Sequence, residues 1–200
     1  MRIHPFSRLL LPTLFVTLAL GTAPVATVTS TSSATTPTST TTAACATPWG
    51  SLPKQAGSSS SKKVVDVRSG RHACFDRLVI DINAAGRGTP GFDVRYVTKV
   101  TRDGSGTTVP LRGGARLRVI VRAPAYDGNG RPTYRAAKWS ELVNVAGYST
   151  FRQVAWAGSF EGQTTIGIGV RARLPMRASV LRNADGTGHR VVVDVAHRWS

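Results

Sequence analysis

The sequence predicts an all-β protein, a two-layer antiparallel β-sandwich with at most one short helix. Two observations carry this prediction. Apolar and polar residues alternate with a period of two over several short runs, which is the pattern of strands with one buried face. Turn signals rich in glycine and aspartate separate these runs at short intervals, as in the hairpins of sandwiches and barrels.

The first 26 residues have the composition of a secretory signal peptide. Arg2 and Arg8 form a positive n-region, and an apolar run follows at 9–20. Because a transmembrane helix needs about 20 apolar residues, a cleaved signal peptide is favoured over an uncleaved anchor. We therefore expect an extracytoplasmic protein, either secreted or associated with the cell wall.

Two segments are rich in small polar residues. Residues 27–44 contain almost only Thr, Ser, Ala and Val and carry no charge, so we expect a disordered stalk there. The stretch AGSSSSKK at 56–63 predicts a second flexible segment. The chain from 45 to 200 is assigned to one domain, and its length allows a sizeable core.

The two cysteines of the chain, Cys45 and Cys74, both follow the signal segment. In an oxidising compartment such a pair predicts a disulfide. His72, Cys74 and Asp76 are spaced two apart, so in a strand they would share a face and could form a metal or thiol site. A disulfide removes Cys74 from that set. We therefore predict no metal and no cofactor, and expect Asp76 to pair with a neighbouring arginine.

Six runs have the alternation or the β-branched and aromatic content of strands. They are residues 76–82, 92–100, 116–122, 150–160, 165–174 and 189–199. A short helix is credible only near 135–145. The GIG triplet at 167–169 lacks the context of a nucleotide site, and it predicts a bulge or a close backbone approach.

One six-residue pattern occurs twice. RLVIDI at 77–82 and RVVVDV at 190–195 both consist of an arginine, three apolar residues, an aspartate and an apolar residue. The two segments are expected to be core strands that pair or occupy equivalent positions. Their charged ends either lie at the sheet rim or form an ion-pair site.

Four stretches together resemble the AMIN-like domain of secreted proteins and lipoproteins of actinobacteria. They are GRHACFDRLVIDI, GFDVRYVTKVTRDGSG, SFEGQTTIGIGVRARLP and HRVVVDVAHRW, and the resemblance covers about 45–199. It implies a sandwich akin to AMIN domains, which are envelope modules that target amidases and secretion machinery through peptidoglycan binding. The family has no established catalytic residues, so the resemblance assigns none. Unlike its lipoprotein members, this chain has no credible lipobox, because Thr42 stands where TAAC would need an aliphatic residue.

Positive charge dominates the sequence, with 26 Lys and Arg against 10 Asp and Glu, a formal net charge of +16. Such a charge attracts anionic polymers. Outside the cytoplasm these are wall polymers, such as peptidoglycan and teichoic acid, and anionic lipid. The predicted partner is an anionic wall polymer or an envelope protein, and contact with a membrane surface is compatible with the charge. Nucleic acid is disfavoured by export and by the lack of interleaved aromatic residues.

Arginines are the candidate binding residues. Arg116 and Arg118 share one strand face, and Arg171 and Arg173 share another. If the two strands are neighbours, the four guanidiniums line one exposed stripe suited to carboxylates and phosphates. The alternative is that these side chains only solvate the outer face of the sheet.

Glu161 is the best single catalytic candidate, since it is one of two glutamates and lies between Gly158 and Gly162. A glycoside hydrolase needs a second carboxylate, for which Asp76 and Asp194 are candidates. The favoured alternative is a turn or buried carboxylate that pairs with an arginine. His72, His189 and His197 are dispersed, and a packed imidazole is the commoner explanation for His197. The first hypothesis is therefore a non-catalytic envelope module, and the second is a hydrolase of wall glycan with Glu161 as acid/base.

Overall fold

The computed structural model describes residues 45–200. The predicted signal peptide at 1–26 and stalk at 27–44 lie outside these residues. Within 45–200 the chain forms eleven strands and no helix. In chain order the strands are Lys54–Ala56 (β1), Val64–Arg71 (β2), Phe75–Ile82 (β3), Phe92–Val97 (β4), Val100–Thr101 (β5), Thr108–Val109 (β6), Ala115–Val121 (β7), Phe151–Phe160 (β8), Gln163–Val170 (β9), Met176–Arg182 (β10) and His189–Ala196 (β11).

Two antiparallel sheets form the sandwich. The five-stranded sheet has the order β1-β4-β7-β9-β8, and the four-stranded sheet has the order β10-β11-β3-β2. A separate pair, β5 and β6, forms a short hairpin. The predicted all-β antiparallel sandwich is thus confirmed. The part of the chain that the structure describes holds no helix of the length and hydropathy that a membrane crossing requires.

The main core lies between the two sheets. Alternation in β7 turns Leu117 and Val119 inward, and alternation in β3 turns Leu78 and Ile80 inward, all fully buried. Full burial of one such side chain stabilises the fold by about 1.5–3 kcal/mol. The apolar residues that predict the strands from sequence therefore also form the core.

The β5–β6 hairpin and the chain after it cover the outer face of the five-stranded sheet. A second apolar cluster lies beneath this cover, formed by Val100, Val109, Leu111, Ala155 and Ala157. The cover approaches β9 closely at the GIG triplet. A Cβ atom added at Gly169 would lie 1.9 Å from the carbonyl oxygen of Arg112, and one at Gly167 would lie 2.8 Å from Leu111. The predicted close backbone approach is confirmed.

The two halves of the repeated six-residue pattern are paired strands. β3 and β11 are antiparallel, with Arg77 opposite Asp194 and Asp81 opposite Arg190. The antiparallel direction is what places the arginine of one copy opposite the aspartate of the other. Asp81 nevertheless forms its ion pair with Arg68 of β2, at 2.6 Å.

Several local expectations differ from the structure. Residues 56–63 are a packed strap rather than a flexible segment: the Ser60 hydroxyl donates to the carbonyl of Arg87 (2.9 Å), and its N–H donates to the carbonyl of Arg122 (2.9 Å). Residues 135–145 are irregular. The run 165–174 ends as a strand at Val170, and residues 171–174 form the connection to β10.

Candidate functional site

The disulfide predicted between Cys45 and Cys74 is present, with the two Cα atoms 5.4 Å apart. His72 and Cys74 lie in the turn between β2 and β3, whereas Asp76 lies in β3. The three residues therefore do not share a strand face. The His72 ring stacks on Phe75, with the ring centroids 4.4 Å apart. Among residues 45–200 no group of three or more His, Cys, Asp or Glu side chains could hold a metal ion.

Asp76 is fully buried and links the two sheets. Its carboxylate accepts hydrogen bonds from the backbone N–H groups of Thr150 (2.6 Å) and Phe151 (3.0 Å) at the start of β8. The ring Nε2 of His197 lies 3.1 Å from the other carboxylate oxygen. The expectation that Asp76 pairs with an arginine is therefore wrong, because its side-chain partner is a histidine 121 residues further along the chain. His197 is the packed, hydrogen-bonded imidazole that the sequence favours.

Asp194 is also buried, although it lies on the outer face of the four-stranded sheet. Arg77 and Arg177 lie opposite it on the two flanking strands, and each forms an ion pair with it, at 2.7 and 2.8 Å. The Arg177 guanidinium in turn covers the ring of Trp49 at 4.3 Å. Asp194 is thus held in a network that joins three strands to the N-terminal segment of the domain.

The four candidate arginines do not form one stripe. The two strands are neighbours, since β7 pairs with β9. Arg116 and Arg118 lie on the outer face of β7. Because β9 ends at Val170, Arg171 and Arg173 lie in the connection to β10 instead of on a strand face.

Two of the four arginines nevertheless line one cleft, which we call the cationic cleft. The Arg173 guanidinium lies 5.4 Å from the ring centroid of Tyr96 and donates to the hydroxyl of Ser51 at 3.1 Å. The phenol of Tyr96 is fixed by the backbone of Leu174, with contacts of 2.8 and 3.0 Å. The cleft has a volume of about 340 Å³ and is lined by Tyr96, Val97, Thr98, Gly114, Ala115, Arg116 and Arg173.

The other two arginines contact local structure. Arg118 is half-buried near Asp103. Burial raises the pKa of Asp103, while a hydrogen bond from Thr165 and the charge of Arg118 oppose that rise. Arg171 is exposed and donates to the backbone carbonyl of His197. The structure therefore separates the four arginines into a pair at the cleft and two residues with local contacts.

Glu161 lies in the two-residue turn between β8 and β9. Its φ is 47° and that of Gly162 is 77°, so both residues are left-handed, as in the type I′ turns that join hairpin strands. The Glu161 side chain forms no ion pair within residues 45–200, so the expected pairing with an arginine is wrong. Neither Asp76 nor Asp194 lines the groove that Glu161 borders.

This groove, which we call the aromatic groove, has a volume of about 630 Å³. Its lining is Ala125, Tyr126, Gly130, Pro132, Tyr134, Trp139, Trp156, Ser159, Phe160 and Glu161. The groove was not predicted from sequence, because its rings come from two stretches that are separate along the chain. The only sequence signal is the local density of aromatic residues near 126–139 and 156–160.

The described residues thus define a small antiparallel β-sandwich domain with one disulfide, a cationic cleft and an aromatic groove. The family model of the AMIN-like domain matches residues 62–197, and the chain belongs to this family. The family is associated with the cell envelope. No curated protein and no solved structure matches the chain.

Proposed function

We propose that the chain is a secreted, non-catalytic module of the cell envelope that binds an anionic wall polymer, peptidoglycan or teichoic acid, through the cationic cleft. One observation carries the proposal: Arg116 and Arg173 line the same cleft, and no carboxylate lines it with them. Planar guanidinium groups suit the carboxylates of peptide stems and the phosphates of teichoic acid.

The charge of the cleft is not neutralised by the protein. Arg68, Arg77, Arg95, Arg112 and Arg177 form ion pairs within residues 45–200, whereas Arg116 and Arg173 do not. The stacking on Tyr96 and the bond to Ser51 orient the Arg173 guanidinium before any ligand binds. Less side-chain entropy is then lost on binding. The net charge of +16 adds long-range attraction of polyanions.

The test is cosedimentation of the purified chain with isolated cell-wall sacculi over a salt titration. We expect binding at low salt that weakens steeply as salt screens the charges. The double variant Arg116→Gln/Arg173→Gln should bind at least about tenfold more weakly at low salt, since a hydrogen bond to a charged group contributes about 1.5–3 kcal/mol.

The matched control is Arg87→Gln/Arg182→Gln, which removes the same charge from two exposed arginines outside the cleft. This control should bind as the unmodified chain does, apart from a small general effect of charge. Equal losses in both double variants would show that net charge, and not the cleft, binds the polymer. An unmodified chain that stays in the supernatant at low salt would refute the proposal.

The non-catalytic part of the proposal is tested separately at Glu161. The lining of the aromatic groove includes one carboxylate, Glu161, whereas glycoside hydrolysis uses two. We expect the chain to release no soluble muropeptides from sacculi above the buffer blank. If it does release them and Glu161→Gln abolishes the release, the chain is a wall hydrolase.

A further inference from the structure

We propose that the aromatic groove binds an uncharged sugar ring of a glycan by stacking, as a second contact independent of the cationic cleft. The proposal shares with the proposed function only its location at the cell envelope. The ligand chemistry differs, because the cleft offers charge and the groove offers aromatic surface. The two sites can therefore fail or succeed separately.

The groove exposes large apolar side chains to solvent. Trp139 is 43% exposed and Phe160 is 53% exposed, which is unusual for side chains of this size. The Trp139 and Trp156 ring centroids are 5.3 Å apart, and Tyr134 lies 6.1 Å from Trp139 and 5.5 Å from Trp156. The three rings pack in one cluster at interplanar angles of 82°, 34° and 53°, in which Tyr134 is buried and Trp139 exposes its ring to solvent. Exposed aromatic surface of this kind marks binding sites.

The aromatic cluster is held by backbone hydrogen bonds around it. The Trp156 N–H in β8 donates to the carbonyl of Trp139 at 2.8 Å, which ties the irregular segment 134–142 to the sheet edge. On the other side, the N–H of Gly162 donates to the hydroxyl of Tyr126 at 2.9 Å. Both walls of the groove are thus fixed before a ligand arrives, which lowers the entropy that binding must overcome.

Charge selects the class of ligand. Four further cavities of 340–530 Å³ each include at least one arginine in their lining. The aromatic groove includes none, and its one charged residue is Glu161. A polyanion is therefore disfavoured there. A carboxylate accepts hydrogen bonds from sugar hydroxyls, and the C–H face of a pyranose ring can stack on the face of one exposed ring, Trp139 or Phe160.

The alternative ligand of an aromatic site, an alkylammonium ion, fits less well. Ammonium ions bind over ring faces that surround them. Here the rings of Tyr134, Trp139 and Trp156 pack on one another, with all three centroid distances at or below 6.1 Å, so they leave no enclosed space between them. An open groove of about 630 Å³ is within the usual range of small-ligand sites, about 300–1,000 Å³.

The test is a titration of the full chain with an uncharged N-acetylglucosamine oligomer, followed by tryptophan fluorescence and calorimetry. It is done at about 0.5 M NaCl, where charge attraction is largely screened. We expect saturable binding with a change in tryptophan emission. Trp139→Ala and Phe160→Ala should each weaken the affinity about tenfold, and Trp139→Phe should recover most of the loss because it keeps an aromatic face.

Two controls separate the groove from other effects. Leu181→Ala removes an exposed apolar side chain elsewhere, 41% exposed, and should bind the oligomer as the unmodified chain does. Arg116→Gln/Arg173→Gln should also bind it normally while losing low-salt binding to sacculi. Circular dichroism of each variant confirms that the sandwich is intact.

Three results would overturn the inference. The first is no binding of the oligomer up to about 10 mM, a free energy weaker than about −3 kcal/mol. The second is unchanged affinity in both folded groove variants. The third is binding of choline, but not the oligomer, with loss in Trp139→Ala, which would assign the groove to a cation. None of these outcomes depends on whether the cationic cleft binds the wall.

Discussion

Glu161 holds a backbone conformation that few residues other than glycine, asparagine and aspartate adopt readily. It is the one non-glycine residue with positive φ in the described part of the chain. For an L-residue the left-handed region costs roughly 1–2 kcal/mol. The local strain sits in a turn that also presents the one carboxylate of the aromatic groove. Strain of this kind is a feature of functional sites.

Replacing Glu161 by asparagine should relieve this strain. Asn-Gly is the preferred pair for a type I′ turn, so we expect Glu161→Asn to raise the free energy of unfolding by about 0.5–1 kcal/mol. Urea denaturation at neutral pH measures the change. Glu161→Ala is the control and should give no gain, because alanine is disfavoured in the same region. A gain of equal size in both variants would show that removal of the side chain, and not the backbone conformation, is responsible.

Asp103 should make the stability depend on pH. Burial raises the pKa of this carboxyl above its ordinary value of 3.8, so the native state binds a proton more readily than the unfolded state does. Stability should then fall as pH rises from about 3.8 through the raised pKa. The Thr165 hydroxyl donates a hydrogen bond to Oδ1 of Asp103, and the side-chain oxygen of an asparagine can accept the same bond.

The variant Asp103→Asn isolates this contribution. The difference in unfolding free energy between Asp103→Asn and the unmodified chain should grow in favour of the variant as pH rises through that window. Urea denaturation at a series of pH values measures it. A difference that stays constant with pH would show that the carboxyl does not titrate differently in the folded state.

At the scale of elements, the chain after the β5–β6 hairpin can pack closely on the five-stranded sheet because β9 has glycines, Gly167 and Gly169, at the contact. Gly169→Ala places a Cβ atom against the backbone oxygen of Arg112, which cannot rotate away. We expect Gly169→Ala to lower the free energy of unfolding by about 2–3 kcal/mol, at the upper end of the range for overpacking. Gly128→Ala is the control, since nothing lies within 4 Å of its added Cβ, and it should change stability by less than about 0.5 kcal/mol. Equal stability of the two variants would refute the assigned role of the cover.

Much of the sheet architecture could be predicted from the sequence, but little of the two candidate binding sites. Strict alternation located β7 and β9, and the repeated Arg and Asp pattern allowed β3 and β11 to pair or to occupy equivalent positions, of which the structure shows the pairing. These features depend on neighbours in one strand or on one strand pair. The His197 partner of Asp76, 121 residues away, depends on how the two sheets pack, and the sequence carries no local signal of that contact.

The same reason separates the two sites. The sequence identifies two residues of the cationic cleft, Arg116 and Arg173, because both lie in runs with the alternation of strands. The aromatic groove was missed, because Tyr134, Trp139 and Trp156 meet only after irregular chain has folded back on the edge of β8. Periodicity locates strands but does not locate the irregular segments that pack on them.

At the scale of the whole domain, the disulfide closes a loop between residues 29 apart in sequence. In the chain-entropy model a loop of this length contributes about 3–4 kcal/mol. Cys45→Ser/Cys74→Ser should lose this stability in denaturation experiments, and dithiothreitol should destabilise the unmodified chain but not the variant. The unreduced chain should show no free thiol. Two reactive thiols in the purified, unreduced protein, or equal stability of the two forms, would contradict this expectation.

The position of that bridge decides which strands would bear a mechanical load. Cys74 immediately precedes β3, an interior strand, whereas β1 and β2 each lie at one edge of their sheet. A pull that reaches Cys45 from the preceding chain passes through the sulfur atoms directly into β3. Residues 46–73, which include β1 and β2, are bypassed. The domain would then resist being unzipped strand by strand, since the force enters where it must shear two neighbouring strands at once.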